Sequence, residues 1–348
     1  MTECGLHEEA LEFQANAIPI DLMSDGIKAF TGTIIEAIAG DPQILLIDEP
    51  EAFLHPALAS KLGAEISRVS YKYHKNLFVS THSPFFLMGC INSGSPVTIV
   101  RLTYRDNVAT ARVLQSQDLM ELMRNPLLRS SGLLSGLFYE FVIVTESDAD
   151  RAFYQEVNER LLRYKLEWGI PHCLFINAQN KQTVWTLVSP LRALGIPAVG
   201  IVDIDAVKDS GSEWTKMTQS ASVPPLTSAA LGNLRASIKV AFDQTGKNMK
   251  KEGGVDVLTS VDREAAIKFF NDLAEYGIFV LQNGELEHWL KTLGVLGHGP
   301  QWLIKVFERM GENPESSDYL KPSGDDVWEF MSKIRGWMMN PQRRGIPS

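Results

Sequence analysis

Long apolar runs are missing from this chain. Nowhere in its 348 residues is there a stretch approaching the ~20 consecutive apolar residues of a membrane-spanning helix. The acidic N-terminus has no apolar core of the signal-peptide kind, so neither a membrane anchor nor a secretory leader is expected. Cysteine is scarce. Cys4, Cys90 and Cys173 lie far apart with no metal-ligand spacing, which excludes a disulfide framework and fits buried thiols in a reducing cytoplasm. His55 and His82 make no zinc pair by spacing. Positive charge is in deficit: 33 Lys and Arg stand against 42 Asp and Glu, a net charge of −9. The surface as a whole therefore repels nucleic acid, and any DNA contact needs a local basic patch or bound cations. No internal repeat and no low-complexity tract occurs, and G-x-x-x-x-G-K-[ST], the loop that cradles nucleotide phosphates, is absent.

What is present is ordinary for a globular protein: 45% hydrophobic and 22% charged residues, in a chain long enough for about two domains. The most informative run is Ile44-Leu45-Leu46-Ile47-Asp48-Glu49-Pro50-Glu51-Ala52-Phe53-Leu54-His55-Pro56. Four apolar residues ending in two acids predict a strand buried on both faces, with chemistry at its carboxyl end. There Asp48 can hold a Mg²⁺ ion, and Glu49 can orient and deprotonate a water aimed at a γ-phosphate. A second strand, Leu77-Phe78-Val79-Ser80, runs into Thr81-His82-Ser83-Pro84, where His82 can sense the same phosphate. Upstream, Ser24-Asp25-Gly26 precedes a helix start that offers free N–H groups to a phosphate.

These residues resemble the second half of an ABC-type ATPase of the SMC, RecF and OLD (overcoming lysogenisation defect) group. Asp48 and Glu49 match its Walker B acids, residues 50–56 its D-loop, His82 its switch histidine, and Ser24 and Gly26 its signature motif. In that group the P-loop lies well upstream. The resemblance therefore implies that this chain is a C-terminal region, that ATP binds only with a P-loop-bearing segment or second protomer, and that the chain alone is no ATPase.

Residues 1–130 alternate strands and helices. Residues 114–137 read as a connector carrying Pro126, Ser130, Ser131, Gly132 and Gly136, and a new α/β unit begins at Phe138. Its expected strands are 141–144, 173–176, 198–202 and 278–281, with helices at 150–162 and 184–194 between them. Residues 208–275 form a helical insertion with a Gly- and Lys-rich loop at 245–254. Residues 301–348 are a helical segment with a frayed tail at 342–345.

A second constellation lies in this later unit. The strand at 141–144 ends at Thr145-Glu146, with Asp150 one helical turn on, and the strand at 198–202 ends at Asp203-Ile204-Asp205. The spacing of two puts Asp203 and Asp205 on one face of an extended chain. Neighbouring parallel strands would converge these carboxylates, and a crowded acidic set is stable chiefly around cations such as Mg²⁺ or Mn²⁺. Glu146 alone also reads as a helix-start charge, with Thr145-x-x-Asp148 as a capping box. Lys247, Lys250 and Lys251 make a basic loop able to reach a phosphate backbone.

This arrangement resembles a Toprim domain, the metal-binding module of topoisomerases, primases and OLD-family nucleases. Glu146 matches its first-strand Glu, Asp203 and Asp205 its DxD pair, Asp150 the acid four residues after the Glu, and Glu287 in Gly284-Glu285-Leu286-Glu287 its third acidic element. Lys321 is the candidate for a family lysine near the metals. Ser147 and the stretch Asn177-Ala178-Gln179-Asn180-Lys181 stand where the family carries glycine. An ABC-type lobe lacking the P-loop, followed by a Toprim parallel-sheet domain with a helical insertion, is the layout of an OLD-family nuclease. It implies a metal-dependent DNA endonuclease or nickase, a homodimer regulated by ATP in the full protein, acting in phage defence or DNA repair. Two ions held by Glu146, Asp150, Asp203, Asp205 and Glu287 would serve in-line attack of an activated water on a phosphodiester. The rival readings are a RecF- or SMC-like ATPase that clamps DNA without cutting it, and a topoisomerase- or primase-like Toprim enzyme.

Overall fold

The computed structural model describes residues 8–39, 43–105, 107–114 and 132–347. Cys4, Pro126, Ser130 and Ser131 lie outside these residues. The chain divides into two compact units, one of residues 1–100 and 114–120, the other of 101–113 and 121–348.

The first unit is built on two parallel strands, β1 (Ile44–Asp48) and β2 (Asn76–Ser80), in register from Ile44 opposite Asn76 to Asp48 opposite Ser80. Its helices are α1 (Glu8–Asn16), α2 (Asp25–Ala39), α3 (Pro56–Lys72) and α4 (Pro84–Asn92). Two helix starts are written into the motifs. The His55 side chain accepts from Leu58 N and the Ser83 side chain from Phe86 N, each followed by a proline at the first helical position, where its missing N–H costs nothing. Gly89 lets α4 ride against α3, since a Cβ there would stand 1.9 Å from the Ser60 carbonyl oxygen. Leu45, Leu62, Ile66, Phe86 and Cys90 form the core. The expectation of a strand buried on both faces fails here. Leu45 is buried, but Leu46 is 77% exposed and Phe78 61%. Helices cover one face of this sheet and leave the other bare.

The second unit holds a four-stranded, all-parallel sheet in the order β6-β5-β7-β8, with β5 Phe141–Thr145, β6 Cys173–Asn177, β7 Ala198–Val202 and β8 Ile278–Val280. The central strands β5 and β7 are buried at every residue, as their continuous apolar runs require. Helices α5 (Asp148–Tyr164) and α6 (Lys181–Ala193) follow β5 and β6. Gly200 in β7 makes room for the Trp185 ring of α6, 2.8 Å from where a Cβ would stand. The insertion forms α7 (Ser212–Ser220), α8 (Pro225–Gln244) and α9 (Ser260–Ala274). Residues 133–138 form a 3₁₀ turn whose Leu133, Leu134 and Leu137 are buried, so the unit begins before Phe138. A further two-stranded sheet, β3 (Ile99–Arg105) with β4 (Val108–Leu114), precedes it in the chain.

The last helices, α10 (Gly299–Met310) and α11 (Asp326–Met339), do not stand apart. Trp302 and Trp328 are each 1% exposed within the same core as Phe141 and Phe153. Nor is the tail frayed. The buried Arg192 guanidinium donates to the carbonyls of Ala198 (2.8 Å), Gly277 (3.3 Å) and Gly345 (2.8 Å), and Arg344 pairs with Glu275 at 2.7 Å. Among the described residues no helix is long and apolar enough to cross a membrane.

Candidate functional site

In the first unit the motif residues meet at the carboxyl ends of β1 and β2. Ser80 donates a short hydrogen bond to Asp48 Oδ1, as their register dictates. Glu49 takes a left-handed conformation (φ 43°) just past the strand, and its Oε1 lies 3.0 Å from His82 Nδ1. Thr81 donates to Glu51, whose other oxygen is buried with no partner among the described residues. Ser24 immediately precedes α2. Gly26 is pressed against the chain at Phe53, whose carbonyl would lie 2.6 Å from a Cβ. His55 serves as a helix cap.

In the second unit, acids gather at the carboxyl ends of β5, β7 and β8. Glu146 leaves β5 and its Oε1 accepts from Asp203 N at 3.0 Å, tying the ends of the two central strands together. Burial pushes the Glu146 carboxyl up to about 8, helped by the charge of Asp203. Burial likewise raises Asp203, to about 7. Lys250 opposes the rise, while Asp150 and Asp205 add to it. Asp150 is raised too, chiefly by burial, with Glu287 among the charges that contribute.

Asp205 does not share an extended face with Asp203. The chain turns into a 3₁₀ helix at Ile204–Lys208, and Asp205 rides on it. Its Oδ1 is buried, makes no hydrogen bond, and lies 3.4 Å from Lys181 Nζ. The helix cap at α5 is a Ser147–Asp150 box in place of the expected Thr145–Asp148 pair. Asp150 Oδ2 accepts from Ser147 N (3.0 Å) and Oγ (2.6 Å), and Ser147 Oγ accepts from Asp150 N (3.2 Å). Ser147 sits at φ −135°, a conformation any residue adopts, so a glycine is not needed there. At the second departure Gln179 takes φ 68° with its N–H held by Asn177 Oδ1 at 2.6 Å, and Asn180 caps α6. The turn survives without glycine.

Lysine placement differs from expectation. Lys321 is exposed and sits over the Tyr164 ring at 5.3 Å, with no carboxylate partner among the described residues. The lysines that meet the acids are Lys250, whose Nζ is 2.6 Å from Asp203 Oδ2, and Lys181, shared between Asp205 and Asp209 (3.0 Å). Burial acts against the charge of Lys250, but the Asp203 pair outweighs it and raises its pKa. Gly284 makes the approach possible. At φ 119° it lets the Lys250 carbonyl come within 2.4 Å of where a Cβ would be, and its own carbonyl accepts from Ile204 N at 3.1 Å. Three segments distant in sequence thus close on one point.

Glu287, the fifth expected acid, accepts from Gly299 N at 2.8 Å. It lies with Glu285 and His298, each offering one ligand atom, all within 4.8 Å of one another. No other group of three metal-ligating side chains is that close among the described residues. Glu146, Asp150, Asp203 and Asp205 fit a cation on different grounds: an orphaned buried oxygen on Asp205 and two carboxyls whose ionisation the site resists.

Residues 13–88 match a family described as "AAA domain, putative AbiEii toxin, Type IV TA system". That segment takes in the motifs at Ser24, Gly26, Asp48, Glu49 and His82, and it marks the first unit as ATPase-like, of ABC/AAA type. A search of curated proteins finds no match to the chain.

Proposed function

We propose that the second unit is a Toprim-type, metal-dependent DNA endonuclease or nickase of the OLD kind, and that the first unit is the signature and Walker B half of its regulatory ATPase. The observation that carries this reading is the hydrogen bond from Asp203 N to Glu146, at the carboxyl ends of adjacent central parallel strands. Active sites of open parallel sheets lie at those ends. The four acids there have raised or unsatisfied carboxyls that a divalent cation would compensate.

In this reading Glu146, Asp150, Asp203 and Asp205, joined by Glu287, hold Mg²⁺ or Mn²⁺. When bound, such ions neutralise phosphodiester charge and lower the pKa of water. The chain's own groups do the rest. Glu146 fixes the Asp203 backbone. Lys250, released from Asp203 when cations take over that carboxylate, is an ammonium free to pair with a phosphate oxygen as charge develops. Lys181 holds Asp205 and Asp209 in place.

The bare face of the β1–β2 sheet supports the partner reading. Parallel sheets are covered on both faces, and a pair of strands exposing Ile44, Leu46 and Phe78 suits completion by a P-loop-bearing segment or a second protomer. ATP would bind only in that assembly.

The test is plasmid nicking by purified chain in Mg²⁺ or Mn²⁺ without ATP. Nicked or linear product that EDTA abolishes is expected. Nicking that survives EDTA, or DNA binding with no cutting in either metal, would overturn the reading in favour of contamination or a clamping ATPase.

A further inference from the structure

The triad of Glu285, Glu287 and His298 is not accounted for by the expected acidic set. The 3₁₀ turn Leu286–His288 is rooted by Leu286, 4% exposed, and this fixes the two glutamates on either side of it. His298 is the residue before α10, a helix anchored by Trp302, and Gly297 (φ 127°) and Gly299 (φ 59°) bracket it. Glu287 Oε1 accepts from Gly299 N, which clips the histidine loop to the glutamate turn.

Glu285 supplies an independent observation. Its side chain is only 10% exposed, accepts no hydrogen bond among the described residues, and has the His298 ring as its one ionic partner, 3.7 Å away. A nine-tenths-buried carboxylate aimed at an imidazole beyond hydrogen-bond reach leaves a gap of the size an ion would bridge. Ligand atoms around an ion at about 2.0–2.2 Å stand about 3–4.4 Å apart. The observed limit of 4.8 Å therefore needs only a few tenths of an ångström of closure.

We propose that Glu285, Glu287 and His298 form a distinct divalent-cation subsite with a nitrogen ligand, which takes a transition-metal ion of the Mn²⁺, Co²⁺ or Zn²⁺ class in preference to Mg²⁺. Two carboxylates and an imidazole form a donor set that hard, strictly oxygen-seeking Mg²⁺ does not favour. The subsite borders the main acidic set, because the Glu287 charge reaches Asp150. It deepens the nuclease reading and rests on it, since it supplies one of that site's two ions with a different chemistry.

The experiment is Mn²⁺ titration of the metal-free chain, read by pulsed EPR. The bound ion is expected to show ¹⁴N modulation from one imidazole. His298→Ala should abolish that modulation and weaken one class of Mn²⁺ binding by at least about tenfold. Glu285→Gln should weaken the same class while preserving the shape of the site, and Asp203→Ala should leave the modulation unchanged. Mn²⁺ that binds without ¹⁴N coupling, or coupling that persists in His298→Ala, overturns the subsite. The nuclease reading then still stands if EDTA-sensitive nicking and its loss in Asp203→Ala are seen. A chain that binds no Mn²⁺ at all overturns both.

Discussion

At the scale of single residues, the acids at the ends of β5 and β7 are under electrostatic strain without a cation. A carboxyl whose pKa is raised on folding is more protonated in the folded than in the unfolded state. Its contribution is fully present below the unfolded value, 4.5 for Glu146 and 3.8 for Asp203. It is lost as pH climbs through the folded values of about 8 and about 7. The metal-free chain is therefore predicted to lose stability steadily between about pH 4 and pH 8, and saturating Mn²⁺ should flatten that slope. Urea midpoints across this range, with and without metal, check both statements. A metal-free midpoint that is flat or rises with pH would mean the acids are already compensated.

Lys250 belongs to the same scale. Its ammonium is the nearest positive charge to Asp203, and Lys250→Ala leaves that carboxylate unpaired. A fully buried broken pair costs ~3–5 kcal/mol. Because the Lys250 side chain is 34% exposed, roughly 1–2 kcal/mol is expected here at pH 8, largely recovered on adding Mn²⁺. Thermal unfolding of the variant with and without metal measures it. Lys321→Ala should change neither stability nor cutting by a comparable amount.

At the scale of elements, legibility followed burial. The runs at 141–145 and 198–202 read as buried parallel strands because both faces of β5 and β7 are covered within the second unit. The run at 44–48 has the same apolar character, yet only one face of β1 is covered. Its pattern fits a larger sheet than the two strands seen. Leu46→Ser is accordingly predicted to shift the stability of this chain by no more than about 0.5 kcal/mol, as for other exposed sites. The same change should impair assembly with a P-loop-bearing segment. Denaturant midpoints and co-purification with that segment test the two halves of the prediction. The acids Glu146, Asp150, Asp203 and Glu287 were legible because each follows an apolar run. Lys250 was legible only as part of a basic loop, since its return to Asp203 depends on the helical insertion folding back at Gly284. His298 carried no signal at all. A lone histidine after a short loop acquires its neighbours only when α10 docks through Trp302.

At the scale of the whole molecule, the ATPase-like and acid-bearing units carry separable chemistry. Asp48, Glu49 and His82 can polarise water and sense a γ-phosphate. Tight nucleotide binding also requires the backbone cradle and lysine of a P-loop, which the sequence lacks. Labelled ATP should therefore bind weakly or not at all to the chain alone, in equilibrium dialysis at micromolar nucleotide. Steady turnover by the chain alone would refute the division of labour.

The most direct test of the central claim compares wild type, Asp203→Ala and Asp48→Ala in a single plasmid-nicking time course with Mn²⁺ and no ATP. The account predicts that Asp203→Ala, still folded by circular dichroism, loses at least about a hundredfold in rate, and that Asp48→Ala cuts like wild type. Cutting by Asp203→Ala at the wild-type rate, or its loss in Asp48→Ala alone, would contradict the account.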